Sequence, residues 1–181
     1  MVMSWDVLAG KADTGDRVVI IGGNAVGLET ATFLAEQGTI SPEVLHFLVT
    51  NKAEKWERLE ELVNRGNKKV TVVEMMEKAG KEIGPSTKWT IMMENKRLGV
   101  EIRTSTRAME VTTEGLVVEK DGEQSLIAAD TIVIAAGSRP LNELQQEIEG
   151  VVSEIHLIGD ASSPRKVMEA IREGHLTGLS I

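Results

Sequence analysis

The stretch Arg17-Val-Val-Ile-Ile-Gly-Gly-Asn-Ala-Val-Gly-Leu-Glu-Thr-Ala31 constrains the chain more than any other. Val18 to Ile21 are four β-branched residues in succession, the pattern of a strand buried on both faces. From Ala25 through Ala35 the apolar spacing is helical, and glycines make the turn between the two elements. Such a junction leaves the first helical N–H groups, those of Ala25, Val26 and Gly27, free to face an anion. Gly22 allows a sharp turn off the strand tip, and Gly27 allows the helix to lie close against the sheet. The spacing G-x-G-x-x-G falls on Gly22, Asn24 and Gly27, so an asparagine stands in the middle position. The glycine usual there lets a diphosphate approach the backbone; Gly23 is expected to compensate in part, and Asn24 to tolerate positive φ.

A chain of 181 residues suffices for one compact unit with a substantial core. Its net charge of −8, with no basic run and no aromatic stacking platform, argues against a nucleic-acid partner. No stretch approaches the roughly 20 apolar residues that span a bilayer, so no membrane partner and a cytoplasmic location are expected. There is no cysteine. Disulfides, a redox C-x-x-C pair and thiolate ligation of an iron–sulfur cluster by this chain are therefore excluded. His46, His156 and His175 are far apart and fit no metal-ligand pattern, so no metal site is expected. With aromatics at 3%, the core falls to Val, Ile, Leu and the eight methionines, with Met75, Met76, Met92 and Met93 as gap fillers.

Taken in order, residues 1–16 read as a lead-in with a short helix around Trp5, Val7 and Leu8. The first long helix stops at Gly38. Ser41-Pro42-Glu43 is a helix start, and the apolar spacing of Ala53, Trp56, Leu59, Leu62 and Val63 gives a second helix closed by Gly66. Residues 39–66 are thus an inserted helical pair, expected as a packing lid over one sheet edge. Val70 to Val73 form the next strand, with Glu74 at its tip. A carboxylate there can accept hydrogen bonds from ribose hydroxyls, and stands about 20 residues past the glycine turn in the usual arrangement. Glu74 lies 47 positions after Gly27, or 19 once the 28 residues of the insert are set aside. That charge would repel a 2′-phosphate and favour NADH over NADPH, while Lys78 and Lys81 nearby could reach toward one.

Gly84-Pro85-Ser86 opens a helix ending at Gly99, and 100–103 is a strand. The period then becomes two in 108–111, 115–119 and 125–127, with Asp121-Gly122 as a turn: an antiparallel meander. Thr131 to Ala135 is a buried strand running into Ala136-Gly137, small residues that would let a cofactor approach. Residues 154–159 read as a closing strand, and Ser162-Ser-Pro164 as the start of a last helix. The fold class is α/β: a Rossmann-like three-layer domain, its central parallel sheet flanked by helices on one side and an antiparallel three-stranded meander on the other.

Val18-Val-Ile-Ile-Gly-Gly, Gly27-Leu-Glu-Thr-Ala31, Val70-Thr-Val-Val-Glu74, Gly84-Pro-Ser-Thr-Lys-Trp89, Leu98-Gly-Val-Glu-Ile102, Ile134-Ala-Ala-Gly-Ser-Arg-Pro140 and Ile158-Gly-Asp160 with Pro164-Arg-Lys166 follow one another along the chain. In these pieces the sequence resembles the pyridine nucleotide-disulfide oxidoreductase superfamily. Within it, the chain is similar to the C-terminal half of the NADH:flavin oxidoreductases related to 2,4-dienoyl-CoA reductase, 2-enoate reductase and trimethylamine dehydrogenase. The resemblance implies an NAD(H)-binding domain over 17–138 and a segment, 139–181, that returns to a flavin domain. It also implies that Asp160 binds the ribityl chain of FAD, and that FMN and a 4Fe–4S cluster lie elsewhere in a longer parent chain. Only one glycine fingerprint is present, so the flavin domain and catalytic barrel are expected as missing partners of a fragment that is inactive alone.

The cofactor-binding residues expected are Gly22, Gly23, Asn24, Ala25, Val26, Gly27, Glu74, Ala136, Gly137 and Asp160, with no catalytic residue in the chain itself. Two other readings compete. An ADP-binding or empty structural domain, as in trimethylamine dehydrogenase, draws support from Asn24. An S-adenosylmethionine-dependent methyltransferase shares the glycine loop and acidic strand tip, but the meander and the Gly159-Asp160 ending argue against it.

Overall fold

The computed structural model describes residues 1–181. Its strands are β1 (Val2–Met3), β2 (Arg17–Ile21), β3 (Lys69–Val73), β4 (Glu101–Arg103), β5 (Arg107–Val111), β6 (Gly115–Lys120), β7 (Glu123–Ala128) and β8 (Thr131–Ile134). Five of them pair in parallel in the order β1-β8-β2-β3-β4, and β5-β6-β7 form a separate antiparallel sheet. The expected parallel sheet and meander are both present. Val2–Met3, expected only as lead-in, add a border strand paired with β8.

Alternation along β2 explains the three layers. Val18 and Ile20 join Val70, Val72 and Val133 in one buried cluster with Val7 of α1 (Ser4–Leu8) and with Ala31, Leu34 and Ala35 of α2 (Ala25–Glu36). Val19, one residue out of phase, points the other way and packs with Val73, Ile132, Leu116, Val118 and Ile127. The meander thus covers the face opposite the helices. Burial of each such aliphatic side chain contributes about 1.5–3 kcal/mol. None of the eight methionines is buried, and Met75, Met76 and Met93 are exposed. The expectation that methionines fill the core is therefore corrected: paired β-branched strands and an Ala-Leu helix face close the layers without gaps needing a flexible side chain.

Three further helices complete this part: α3 (Pro42–Thr50), α4 (Trp56–Asn64) and α5 (Pro85–Arg97). Ser41 caps α3 as expected, its Oγ accepting from Val44 N–H at 3.3 Å. The packed lid is not found. In α3 no residue is buried and in α4 only Leu59 is, so Phe47 and Trp56 stand 61% and 68% exposed. The insert is rooted at its ends, where Ile40 N–H meets Leu62 O and Asn67 N–H meets Gln37 O. Gly66 is not a positive-φ stop: a Cβ there would sit 2.2 Å from Ala35 O, so glycine is required by close passage under the end of α2. Fully buried Asn95 of α5 ties that helix to α2, donating to Leu28 O and Thr32 Oγ1 at 3.2 and 3.0 Å.

Contacts separate the chain into two units, 1–136 and 137–181. The second holds α6 (Glu143–Ile148), a 3-10 turn at Gly159–Ala161 and α7 (Val167–Gly178). Residues 154–159 pair with no strand, because this unit contains no other strand to supply ladder partners. The last helix starts at Val167 rather than beside Pro164. The 3-10 turn and a bond from Arg165 N–H to Asp160 Oδ1 take up the intervening residues, and Arg165 pairs with Glu173, whose second oxygen accepts from Gly159 N–H.

At the end of the sheet opposite the strand tips, Asp130 accepts from the backbone N–H and the guanidinium of Arg17 at 2.8 and 3.1 Å. The Arg17 side chain, then its backbone N–H, hold the Asp130 carboxyl well below its ordinary 3.8, at about 2. A lowered folded-state value means that this pair stabilises the fold above the unfolded value near 3.8 and stops doing so as pH falls through about 2. Asp130→Asn should lower the urea midpoint at pH 6, and the gap from the parent protein should close as pH falls from about 4 toward 2.

Candidate functional site

Register places the site. Ile21 pairs with both Val73 and Ile134, so the three central strands end level and the residues that follow them gather at one edge of the sheet. Gly22 N–H donates to Val73 O, and Ala135 N–H to Ile21 O, at 2.9 and 2.8 Å. Gly22 has φ +107°, and a Cβ on it would lie 2.5 Å from Ala135 O. A Cβ on Gly27 would lie 1.9 Å from Gly22 O. Both contacts are backbone against backbone, so no side-chain rotation can relieve them. The N-terminus of α2 is thereby pressed onto the tip of β2.

No main-chain or side-chain acceptor in the protein takes the N–H groups of Asn24, Ala25, Val26 or Gly27. They are the orphan donors of a helix N-terminus, where the dipole adds its positive end. Asn24 sits at φ −92°, so its tolerance of positive φ is not called on, and its side chain makes no cap. Instead Asn24 Nδ2 donates to Glu82 Oε2 at 2.5 Å, and Asn24 Oδ1 accepts from Glu82 N–H at 3.3 Å.

Glu74 faces the glycine loop. Its Oε2 accepts from Gly23 N–H at 2.7 Å and its Oε1 from Met76 N–H at 2.8 Å. A Cβ on Gly23 would meet Glu74 Cβ at 2.8 Å, so the carboxylate itself dictates glycine at position 23. The main chain of Glu74 is held too, donating to Arg103 O and accepting from Thr106 N–H at 2.9 and 3.0 Å. Lys78 and Lys81 are exposed and form no ion pair. An open depression of about 670 Å³ beside Arg65, Met92, Lys96 and Ile102 shares no residue with the junction, which is distinguished by free donors rather than by depth.

Of the residues singled out from sequence, Gly22 to Gly27, Glu74 and Ala136 belong to the first unit, while Gly137 and Asp160 belong to the second. Gly137 has φ +89° and open space around a Cβ. Ala135, expected as the end of the strand that runs into Ala136-Gly137, stands just past the level strand ends. Glu82 was missed: it carries no local signal, because its partner is 58 residues away.

A level-ended parallel sheet with one glycine junction of free amides, backed by a meander, defines a Rossmann-like α/β domain. Residues 6–174 match the family model of pyridine nucleotide-disulphide oxidoreductases, and the chain belongs to that family. It is 44% identical over 175 residues to a metal reductase of Desulforamulus reducens, covering 97% of this chain and 26% of the relative. Identity to an NADH oxidase of Thermoanaerobacter brockii is 33% over 175 residues, covering 94% and 22%. Among solved structures, a 2-naphthoyl-CoA reductase in complex with 2-naphthoyl-CoA superposes with a TM-score of 0.73 at 26% identity, over 99% of this chain and 23% of that one. The chain thus spans about a quarter of the length of these relatives. No helix is long and apolar enough to cross a membrane.

Gly27→Ala should destabilise the fold by about 2–4 kcal/mol, since Gly22 O cannot move without breaking the sheet. Gly178→Ala, with nothing within 4 Å, should change stability by under about 1 kcal/mol. Urea midpoints of the two variants check the contrast.

Proposed function

We propose that residues 17–138, with the insert 39–66, are an NAD(H)-binding domain of a larger flavin-dependent oxidoreductase, and that 139–181 return to a flavin domain elsewhere in the parent chain. One conjunction carries the reading: four unpartnered amides, Asn24 to Gly27, stand beside a carboxylate fixed at the next strand tip. The amides and the helix dipole suit a diphosphate. Each Glu74 oxygen accepts one backbone N–H and keeps a further lone pair for a ribose hydroxyl. A 2′-phosphate there would face the Glu74 charge, so NADH is preferred, with Lys78 and Lys81 as the side chains that could offset the repulsion.

The segment Ala135 to Gly137 would border the nicotinamide. When bound, NADH supplies a hydride that passes to FAD in the parent enzyme. This chain's residues hold and orient the dinucleotide, and Asp160 would contact the ribityl chain of that FAD. Similarity to the 2,4-dienoyl-CoA reductase branch adds FMN and a 4Fe–4S cluster in the parent chain, for which this chain offers no cysteine. The names of the relatives, metal reductase and NADH oxidase, support a redox role with NADH as donor.

A second reading, an ADP-binding or empty structural domain, is favoured by the contact of Asn24 with Glu82 at the phosphate end. Thermal unfolding with NADH, NADPH and ADP separates the two. A nucleotide at 100 times its dissociation constant should stabilise the protein by about 2.7 kcal/mol. NADH should act at far lower concentration than NADPH, and Glu74→Ala should erase that preference. Equal response to NADH and ADP would favour the structural reading, and no response to any nucleotide would end both.

A further inference from the structure

Between the tip of β3 and the start of α5 the chain crosses back over the glycine turn. Gly80, at φ +62°, donates its N–H to Gly23 O at 2.7 Å. Two residues on, Glu82 meets the Asn24 side chain twice, through its Oε2 at 2.5 Å and its backbone N–H at 3.3 Å. Both polar atoms of the Asn24 carboxamide are therefore engaged by one residue of the opposite loop. Asn24 is the N-cap residue of α2, so this places the Glu82 carboxylate at the helix end that carries the four free amides. Glycine at position 24 could not hold it there. Glu82 is exposed and in no ion pair, and its neighbours Lys78 and Lys81 leave its charge uncompensated. The positive end of a helix stabilises a carboxylate for the same reason that it stabilises a phosphate.

We propose, resting on the nucleotide-binding reading above, that Glu82 is an affinity-setting residue of this site: latched to Asn24, its carboxylate competes with the diphosphate of an incoming nucleotide for the N-terminus of α2. Glu82 swings away from Asn24 before the amides are engaged, and occupancy of the site releases the second of the two ties that hold residues 75–84 over the glycine turn. Glu74 selects at the ribose; Glu82 sets how tightly the phosphate end holds a diphosphate.

Titration calorimetry of the 181-residue chain with NADH and with ADP tests this. Glu82→Gln keeps an acceptor for Asn24 Nδ2 and removes the charge, and it should bind both nucleotides about threefold to tenfold more tightly. That gain should shrink at about 0.5 M KCl, where screening acts within a few ångströms. Glu82→Asp, which retains the charge, should stay near the parent affinity, and Asn24→Gly, which removes the latch, should gain as Glu82→Gln does. Unchanged or weaker binding in Glu82→Gln would overturn the proposal and leave the nucleotide reading standing. Failure of every variant, the parent included, to bind either nucleotide would remove both. Circular dichroism melts of the variants confirm that the exposed substitution leaves the fold intact.

Discussion

The approach of Gly22 O to the α-carbon of Gly27 is the constraint on which the rest of this domain depends. A carbonyl that would stand 1.9 Å from any Cβ fixes where α2 starts and how near it lies to β2. That closeness puts Ala31, Leu34 and Ala35 into one cluster with Val18 and Ile20, and it brings the unpartnered amides of the first turn level with the ends of β3 and β8. The core and the site are consequences of one backbone contact.

Around that contact the electrostatics are divided between two acids. Glu74 spends one lone pair of each oxygen on backbone donors, and this fixes its direction without exhausting its capacity. Glu82 is held by the Asn24 carboxamide alone, through its carboxylate and its own backbone N–H, on an exposed loop. A well-anchored acid suits recognition of a fixed ligand group, and a loosely held one suits displacement. The chain around both is anchored by Asn95 on the helix side and by the Arg17–Asp130 pair at the far end of the sheet.

Much of the fold was legible because its elements are encoded by local periodicity. The β-branched runs, the switch to period two after position 107 and the Asp121-Gly122 turn, both residues at positive φ, read directly as strands and a tight hairpin. The Gly22 and Gly27 positions read correctly as turn and close approach because few residues other than glycine fit them. Gly66 follows the end of α4 as expected, and what demands glycine there is the close passage of the Ala35 and Gln37 carbonyls rather than a positive φ. Residues 154–159 look like a strand in composition, but strand formation needs a hydrogen-bonded neighbour that composition does not supply. The Asn24–Glu82 link joins two loops 58 residues apart, and no local pattern announces a pairing of that kind.

The border strands of the large sheet are only two and three residues long, Val2–Met3 and Glu101–Arg103. Brief margins offer few open backbone groups for a foreign strand to zip onto, so this sheet gives fibril-like growth little template. Phe47 and Trp56, both left outward, sit on helices, whose backbone bonds are already closed. The meander differs: its outer strands, Arg107–Val111 and Glu123–Ala128, are five and six residues long and leave Met109, Val111 and Leu126 outward, so strand-on-strand association has its template there.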